Sequence, residues 1–252
     1  MSRGAVVLMY HAIGGPEEPA SRFVVPARRF ERQLELVARL GYNVLPLGDL
    51  VRELRAARVP RRALAITLDD GYLDNRTLAY PVLERLDLPA TFFVVSRRER
   101  GDWSRSSPLD GRPLLSTEQL GEMAPLVTIG AHTRTHPALT LLPRSEAEEE
   151  IAGSRADLER SLGVPVTLFA YPYGMVDDGV RRLVQQAGFL GACSVIAGRN
   201  TSATDPFVLR RLEIQGTFSL ARFVATIELG DTRIRERWRG HRSRSGARAG
   251  RA

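Results

Sequence analysis

Two adjacent carboxylates at the end of an apolar run are the first residues whose types and spacing could do chemistry. Asp69 and Asp70 directly follow Ala63–Leu68, and Gly71 lets the backbone turn sharply after them. Neighbouring carboxylates repel each other unless a cation or a proton lies between them, so this pair could hold a metal ion. Because Asp-Gly is also ordinary turn chemistry, a solvated surface turn is the alternative for this motif taken alone.

A pair of histidines four residues apart is the second candidate. His132 and His136 follow the apolar run Val127–Ala131, and the whole chain has four histidines. The spacing predicts both imidazoles on one side of a helical turn, able to share a cation, although two surface histidines would give the same pattern. With Asp70 they supply two nitrogens and one carboxylate oxygen, a ligand set for a catalytic divalent metal with one position open for water. Asp69 would then be free to act as a general base.

Two further motifs also follow predicted strands. Tyr171–Gly174 comes after Val166–Ala170. Its Pro/Gly turn could present backbone N–H groups to an oxyanion, although an ordinary turn with two aromatic residues explains it as well. His11 comes after Val6–Tyr10 and could protonate a leaving amine, or it could be a half-buried structural histidine.

The elements that must position these residues alternate between short β-prone runs and amphipathic helical stretches. This alternation predicts a mostly parallel sheet with helices outside it, and such folds place their site at the carboxyl ends of the strands. The predicted strands are Val6–Tyr10, Tyr42–Leu47, Ala63–Leu68, Ala90–Val95, Val127–Ala131, Val166–Ala170, Leu190–Val195 and Val208–Ile214. The predicted helices are Pro26–Leu40, Asp49–Arg58, Leu78–Leu86, Asp177–Gln186 and Leu220–Leu229. Two further helices are predicted from capping boxes: a short helix at Ser116 and Gln119, and a helix that opens at Ser145 and Glu148 and runs to Leu162. The stretch Ser96–Leu115 is predicted to be a long loop.

Length and composition are those of one globular domain with a charged end. The chain has 252 residues, of which 43% are hydrophobic and 26% charged, and no linker divides residues 1–230. The formal charge of +7 owes much to the arginine-rich residues 231–252, which we predict to be a disordered tail. Such a tail could touch nucleic acid or an anionic membrane surface.

The single cysteine and the first apolar run both point to ordinary roles. Cys193 lies in an apolar stretch, so we predict a small buried hydrophobe and not a catalytic thiol. The run Ala5–Tyr10 is too short for a signal-peptide core or a membrane span. The chain as given is therefore predicted to be cytoplasmic, with peripheral membrane association as an option through its basic tail.

The strand-end motifs are similar to those of the polysaccharide deacetylases, the family-four carbohydrate esterases with a NodB homology domain. Thr67–Gly71 (TLDDG) resembles the first motif of the family, His132–His136 (HTRTH) the second, and Tyr171–Gly174 (YPYG) the third. The resemblance spans about Val6–Ile214. It implies a distorted (β/α) barrel with seven strands.

The resemblance also implies a role for each matching residue. Asp69 would be the catalytic base, and the backbone N–H of Tyr173 would help to hold the oxyanion. A divalent metal, zinc or else cobalt, nickel or manganese, would bind Asp70, His132 and His136. The remainder of the third motif would contact the substrate through Tyr171, Pro172 and Gly174.

Two departures from the family pattern concern the groups around the base. The arginine that commonly stands two residues before the proline of the third motif is replaced by Ala170, and we predict that Arg211 takes its place. The usual late histidine motif is missing near the C-terminus. Leu8–His11 (LMYH) instead resembles the opening of the circularly permuted poly-N-acetylglucosamine deacetylases, which implies that His11 is the general acid.

The resulting expectation is a metal-dependent hydrolase that removes N-acetyl groups from a sugar or polysaccharide and releases acetate. An O-acetyl esterase or an amidohydrolase of a non-sugar substrate on the same scaffold is the first alternative. A non-catalytic carbohydrate-binding relic is the second, but a pure binding site has no need of a free base such as Asp69. No specific nucleic-acid partner is expected.

Overall fold

A curled sheet of buried parallel strands forms the centre of the molecule. The structure is a computed structural model, and it describes residues 4–102, 107–123 and 126–232. The central strands Val6–Tyr10, Ala63–Leu68 and Ala90–Val94 are buried along their whole length. Strands that are covered on both faces are expected to be continuously apolar, which explains why these runs do not alternate with polar residues.

Twelve strands are present in the part of the chain that the structure describes. In chain order they are β1 Val6–Tyr10, β2 Ala12–Gly14, β3 Val24–Pro26, β4 Asn43–Val44, β5 Ala63–Leu68, β6 Ala90–Val94, β7 Arg100–Gly101, β8 Arg112–Pro113, β9 Val127–Ala131, β10 Leu168–Ala170, β11 Gly191–Cys193 and β12 Leu212–Glu213. The main sheet has the order β11-β10-β9-β6-β5-β1-β12, with β4 beside β5, and its strand pairs are parallel. All these strands therefore present their carboxyl ends to one rim.

The segment that leads into β12 joins the two ends of this sheet. Leu209 forms a parallel bridge with Cys193 of β11, and Leu212 pairs with Leu8 of β1. The main chain of Leu209 also exchanges hydrogen bonds with Ala192 and Ser194. The sheet thus curls round into a distorted seven-stranded barrel, and the predicted (β/α)7 architecture is confirmed.

Helices pack around the outside of the barrel. They are α1 Ala27–Arg39, α2 Leu47–Arg55, α3 Tyr80–Leu86, α4 Thr117–Gly121, α5 Arg144–Leu162, α6 Asp178–Gln186 and α7 Leu220–Leu229. In α1 the apolar residues Phe30, Leu34 and Val37 recur at helical spacing and are all buried. Helix α6 begins where the Asp177 side chain accepts a hydrogen bond from the Val180 N–H at 2.8 Å.

Several predicted boundaries need correction, and local chemistry explains most of them. The predicted capping box at Ser116 and Gln119 is present, but the box at Ser145 and Glu148 is wrong. The N-cap of helix α5 lies two residues earlier, at Pro143, which fixes the backbone angle at that point and leaves no side-chain cap. The helix predicted over Leu78–Leu86 begins at Tyr80 and follows a π-helical turn, Asn75–Ala79.

Other predicted elements are shorter or differently placed. The predicted strands at 42–47, 166–170, 190–195 and 208–214 shrink to two or three residues each. The predicted loop Ser96–Leu115 contains a small antiparallel hairpin, β7–β8. The parallel pair β2–β3, directly after His11, was not predicted because each strand has only three residues.

Two predictions about the chain ends have different outcomes. Among the described residues, no helix is both long enough and apolar enough to cross a membrane. Residues 233–252, which make up nearly all of the predicted basic tail, lie outside the described residues. The division into a domain over 1–230 and a tail over 231–252 therefore stays a prediction.

Candidate active site

The residues picked out from the sequence meet in one cleft at the carboxyl rim of the barrel. The cleft has a volume of about 280 Å³. Its lining includes most of the predicted site residues: His11, Asp69, Asp70, His132, His136, Tyr171, Tyr173 and Gly174. Of the other two, Pro172 is buried behind the lining, and Arg211 lies fully buried below Asp69.

Asp70, His132 and His136 form a compact group of metal-ligating side chains. The Asp70 Oδ1 atom lies 3.4 Å from the Nε2 atom of His132 and 3.4 Å from the Nε2 atom of His136. One ligand atom from each residue lies within 4.8 Å of the others, and all three residues are buried. Two imidazole nitrogens and one carboxylate oxygen at this spacing fit a divalent transition metal such as zinc.

The orientation of His132 is fixed by the neighbouring strand. Its Nδ1 atom donates a hydrogen bond to the Ala170 carbonyl oxygen at 2.7 Å. This bond assigns the proton to Nδ1 and leaves the Nε2 lone pair directed toward Asp70, as a metal ligand requires. Position 170, where the family arginine is missing, therefore serves the metal group through its main chain.

The ligand-bearing segments are held in unusual backbone conformations. Among the described residues, seven non-glycine residues have a positive φ, and four belong to the three motifs: Asp70 (73°), Thr133 (66°), His136 (63°) and Tyr173 (57°). A non-glycine residue in this region costs about 1–3 kcal/mol and persists only where its surroundings impose it. Such strain is typical of functional sites.

The predicted helical turn at His132–His136 is wrong. The positive φ angles of Thr133 and His136 break any helix there. The two imidazole rings still approach each other, with centroids 4.8 Å apart, because the chain bends after β9. The prediction that these histidines face one cation site is met by a bent loop, not by helical spacing.

Asp69 is paired with Arg211 below the cleft. Arg211 donates two parallel hydrogen bonds, from Nη1 to Oδ1 at 2.6 Å and from Nη2 to Oδ2 at 2.7 Å. Burial raises the pKa of the Asp69 carboxyl, but the charge and the hydrogen bonds of Arg211 outweigh it, so the pKa lies below its usual value. Asp69 is therefore ionised at neutral pH and fixed in orientation.

Arg211 is itself fully enclosed by barrel residues. Its Nε atom donates to the Ser194 carbonyl oxygen at 2.9 Å, and its Nη1 atom donates to the Thr67 hydroxyl at 3.2 Å. The Thr67 hydroxyl donates in turn to the Leu8 carbonyl oxygen at 2.7 Å. A buried arginine that binds Thr67 on β5, Asp69 directly after β5 and Ser194 directly after β11 is a rigid support for the Asp69 carboxylate. That Arg211 replaces the lost arginine stays a prediction.

The third motif contributes a tight turn at the cleft rim. The hydrogen bonds that close this turn are donated by the N–H groups of Gly174 and Met175, which leaves the Tyr173 N–H outside them. The Tyr173 ring is about half exposed and lies 4.7 Å from the His136 ring, centroid to centroid. Tyr171 is buried, and its hydroxyl donates to the Phe207 carbonyl oxygen at 2.9 Å.

His11 directly follows β1, which lies on the other side of β5 from β6 and β9, and it lines the cleft. Its ring contacts Phe23 edge-on, with centroids 5.1 Å apart. The amide of Asn75 donates to the His11 carbonyl oxygen at 2.9 Å, and Asp74 accepts a hydrogen bond from the Ile13 N–H at 2.8 Å. The main chain from the His11 carbonyl to Ile13 is therefore held from the start of the π-helical turn.

Asp74 also connects this region to the β7–β8 hairpin. Arg112 donates to Asp74 Oδ2 at 2.9 Å and pairs with Glu18. Burial raises the pKa of Asp74 to about 6 although Arg112 and the Ile13 N–H lower it. Neither Asp74 nor Asn75 was predicted, and the one available signal was a polar pair soon after the Asp-Asp-Gly turn.

An ion pair at the cleft margin was also missed. Arg22 donates to Glu213 through Nε at 2.6 Å and through Nη2 at 2.8 Å, and both residues line the cleft. Glu213 ends a strand, as the motif residues do, and that position was the signal available in the sequence. Cys193, by contrast, matches its prediction, since burial raises the pKa of its thiol to about 12.

Comparison with known proteins gives the family. The polysaccharide deacetylase model matches residues 56–192, more than half of the chain, so the chain belongs to the polysaccharide deacetylase family. The matched range contains Asp69, Asp70, His132 and His136, while His11 and Arg211 lie outside it.

Individual proteins are similar over more of the chain than the family model matches. A putative polysaccharide deacetylase of Bacillus subtilis, YxkH, is 26% identical over 224 residues, covering 88% of this chain and 75% of its own. The poly-β-1,6-N-acetyl-D-glucosamine N-deacetylase of Staphylococcus epidermidis is 24% identical, covering 73% of this chain and 70% of its own. The structure of the Streptococcus pyogenes deacetylase PplD, solved with acetate, aligns with a TM-score of 0.77 at 24% identity, covering 90% of this chain and 99% of its own.

Proposed function

We propose that this protein is a metal-dependent deacetylase that hydrolyses N-acetyl groups on an N-acetylated sugar or polysaccharide and releases acetate. One observation carries the proposal. The three metal-ligating side chains and the ionised Asp69, held by Arg211, meet in the same cleft. A group of metal-ligating side chains next to a separate, oriented carboxylate is typical of a hydrolase active site, because binding alone does not need the second carboxylate.

Asp70, His132 and His136 would hold the metal ion, and we propose zinc. Their mixed nitrogen and oxygen ligands also accept cobalt, nickel or manganese, among which availability decides. When bound, the ion supplies a Lewis acid that polarises the acetamide carbonyl and lowers the pKa of a water molecule. The hydrogen bond from His132 to Ala170 keeps that imidazole in the tautomer that can bind it.

The protein groups around this site perform the proton transfers. Asp69 takes a proton from the attacking water, and Arg211 keeps its carboxylate ionised and pointed into the cleft. The Tyr173 N–H donates to the oxyanion that forms as the carbonyl carbon becomes tetrahedral. His11, on the opposite wall, gives a proton to the departing amine, so the products are acetate and a free amino sugar.

The substrate class rests on the family and on the character of the cleft. The relative from Staphylococcus epidermidis is a poly-β-1,6-N-acetyl-D-glucosamine N-deacetylase, and we propose a substrate built from N-acetylglucosamine. Tyr171 and Gly174 line the wall on one side, with the buried Pro172 between them in sequence, while Arg22 and Glu213 offer hydrogen bonds to sugar hydroxyls on the other. A cytoplasmic location and weak membrane contact through the basic tail stay predictions.

The relic alternative loses its main support. It rested on the missing arginine at position 170, but Arg211 donates two hydrogen bonds to Asp69, which supports an oriented base. An O-acetyl esterase needs the same metal and base, so substrate comparison must separate it from an N-deacetylase.

The test is acetate release from matched substrates. The purified full chain is stripped of metal with a chelator, reloaded with Zn²⁺, and given N-acetylglucosamine oligomers or O-acetylated sugar oligomers at equal concentration. We expect Zn²⁺-dependent acetate release that is faster from the N-acetyl substrate. Faster release from the O-acetyl substrate would identify an esterase, and no release from either would overturn the proposal.

A further inference from the structure

The loop that carries both histidine ligands is held from outside the cleft by helix α5. Thr133 and His136 have a positive φ, and they bracket Arg134 and Thr135. Part of this bend is closed by the loop itself, since the His136 N–H donates to the Thr133 hydroxyl at 2.9 Å. The N–H groups of Arg134 and Thr135 point away from the cleft and need acceptors from elsewhere.

One carboxylate of α5 supplies those acceptors. Glu150 Oε2 accepts hydrogen bonds from the Arg134 N–H at 2.8 Å and from the Thr135 N–H at 2.9 Å. Glu150 Oε1 accepts from the Thr135 hydroxyl at 2.6 Å. An anion that accepts two successive N–H groups beside a left-handed residue occupies a backbone nest, which is an arrangement that binds negative charge strongly.

Two other carboxylates of α5 contact the Arg134 side chain and not the main chain of the loop. Glu149 pairs with the Arg134 guanidinium and is largely exposed. Asp157 accepts from Arg134 Nε at 2.7 Å. Within the loop 133–136, these two carboxylates contact only the Arg134 side chain, and Asp157 also pairs with Arg97 and Arg160 outside it. Glu150, by contrast, holds the main chain that sets the distance between the two histidines.

We propose that Glu150 is a positioning residue for the metal site. It fixes the bend between His132 and His136 and so sets the approach of both Nε2 atoms to Asp70. The inference rests on the proposed metal binding by Asp70, His132 and His136. Helix α5, which lies outside the cleft, would thereby contribute to the affinity of the site for the metal ion.

The direct test is Glu150→Gln with Glu149→Gln as the matched control. The amide keeps the size of Glu150 but replaces one acceptor oxygen with a donor and removes the charge, so the nest loses acceptors. We expect the Kd for Zn²⁺, measured by competition with a chromophoric chelator on the full chain, to rise about 10- to 100-fold. Glu149→Gln should keep the Kd within about twofold, because that residue contacts only a side chain.

A second measurement separates positioning from general stability. Co²⁺ bound in the wild type gives a visible absorption spectrum that reports ligand geometry, and we expect Glu150→Gln to change its shape while Glu149→Gln does not. The Tm of the metal-free proteins shows whether each variant is folded. A Glu150→Gln protein with a lower Tm but an unchanged Kd and spectrum would overturn the inference, since the residue would then support only the fold.

Thr135→Val supplies a milder version of the same change. It removes the hydroxyl that donates to Glu150 Oε1 and leaves both N–H contacts, so we expect a rise in the Zn²⁺ Kd smaller than that of Glu150→Gln. A wild type that binds no divalent ion would overturn the proposed function together with this inference. A wild type that binds Zn²⁺ and a folded Glu150→Gln protein that binds it equally well would overturn the inference alone.

Discussion

The two walls of the cleft are built in different ways. The metal wall carries Asp70, His132 and His136 at the ends of β5 and β9, and its residues come from two short motifs. The other wall, which we call the acid wall because we propose His11 as the general acid, carries His11, and its supports come from the π-helical turn and the β7–β8 hairpin. Asp69 and Arg211 lie between the two walls and are shared by them.

The walls differ in the contacts that back them, not in how far apart their site residues lie, since Asp70 and His132 are themselves 62 positions apart. The metal wall gathers its three ligands from two motifs and is backed by Glu150, 14 residues after His136 in the sequence. The acid wall depends on contacts between residues that are 61 and 94 positions apart, Ile13 with Asp74 and Glu18 with Arg112. A change in one wall should therefore leave the chemistry of the other measurable.

Removal of the proposed general acid should have the largest effect on the rate, and that effect should be confined to the acid wall. We expect His11→Ala to lower the rate of acetate release by about 100- to 10,000-fold, the usual contribution of a general acid. Zn²⁺ content should stay at the wild-type level, because His11 is not among the three ligands. Metal analysis and acetate assays on one preparation check both points. Loss of metal in this variant would show that the walls are not separate.

Removal of the shared support should damage the fold as well as the rate. Arg211→Ala leaves Asp69 buried without its partner, and breaking a buried ion pair costs about 3–5 kcal/mol. We expect a loss of this size in the free energy of unfolding, measured with urea, and slower acetate release. Arg210→Ala is the control, since Arg210 is an exposed neighbour. Unchanged turnover in Arg211→Ala would refute the role of Arg211.

The contribution of Asp74 to the pH dependence of stability probes the acid wall. The pKa of Asp74 is raised from 3.8 to about 6, so between these values the folded protein holds a proton that the unfolded chain releases. The stability from this group is present at low pH and is lost as the pH rises from about 4 to about 6. At about 1.4 kcal/mol for each pKa unit, it amounts to at most about 3 kcal/mol.

Asp74→Asn removes that titration. We expect urea unfolding of the metal-free variant between pH 4 and 6 to show a less negative slope of stability against pH than the wild type. Altered contacts with Arg112 and Glu18 can lower the free energy of unfolding by an amount that does not depend on pH, and such a change does not affect the comparison of slopes. Equal slopes in the two proteins would show that Asp74 titrates normally.

The smallest change tests the support of the His11 main chain. Asn75→Ala removes the amide that donates to the His11 carbonyl oxygen, and a buried acceptor without a partner costs about 1–3 kcal/mol. We expect that loss in the free energy of unfolding, together with slower acetate release at an unchanged Zn²⁺ Kd. Thr77→Ala, at an exposed position two residues on, should change neither quantity. A larger effect on Zn²⁺ binding than on turnover would contradict the assignment of Asn75 to the acid wall.

The features that could be predicted from the sequence are those that leave a local pattern in it. The strands β1, β5 and β9 and the helix α7 have the predicted bounds, because buried parallel strands and an amphipathic helix leave strong local patterns. The motif residues at the strand ends were found in the same way. The resemblance to the family favoured His11 as the general acid over a structural histidine, and it added Arg211, which spacing alone does not connect to the others.

What the sequence did not predict depends on tertiary contacts or on backbone detail. The bend of the histidine loop needs two residues with positive φ, and nothing in HTRTH signals that, since glycine is absent. The roles of Glu150, Asp74 and Asn75 follow from hydrogen bonds to main-chain atoms of other segments. Such bonds leave no periodic pattern, because any segment can offer an N–H or a carbonyl oxygen.

The most direct test of the central claim compares the two adjacent carboxylates. Zn²⁺ content and acetate release from N-acetylglucosamine oligomers are measured on the wild type, Asp69→Asn and Asp70→Ala. We predict one bound ion and metal-dependent release in the wild type, a bound ion with a rate about 100- to 10,000-fold lower in Asp69→Asn, and neither ion nor release in Asp70→Ala. Near-normal rates in both variants would contradict the assignment of a base and a metal ligand to these neighbours.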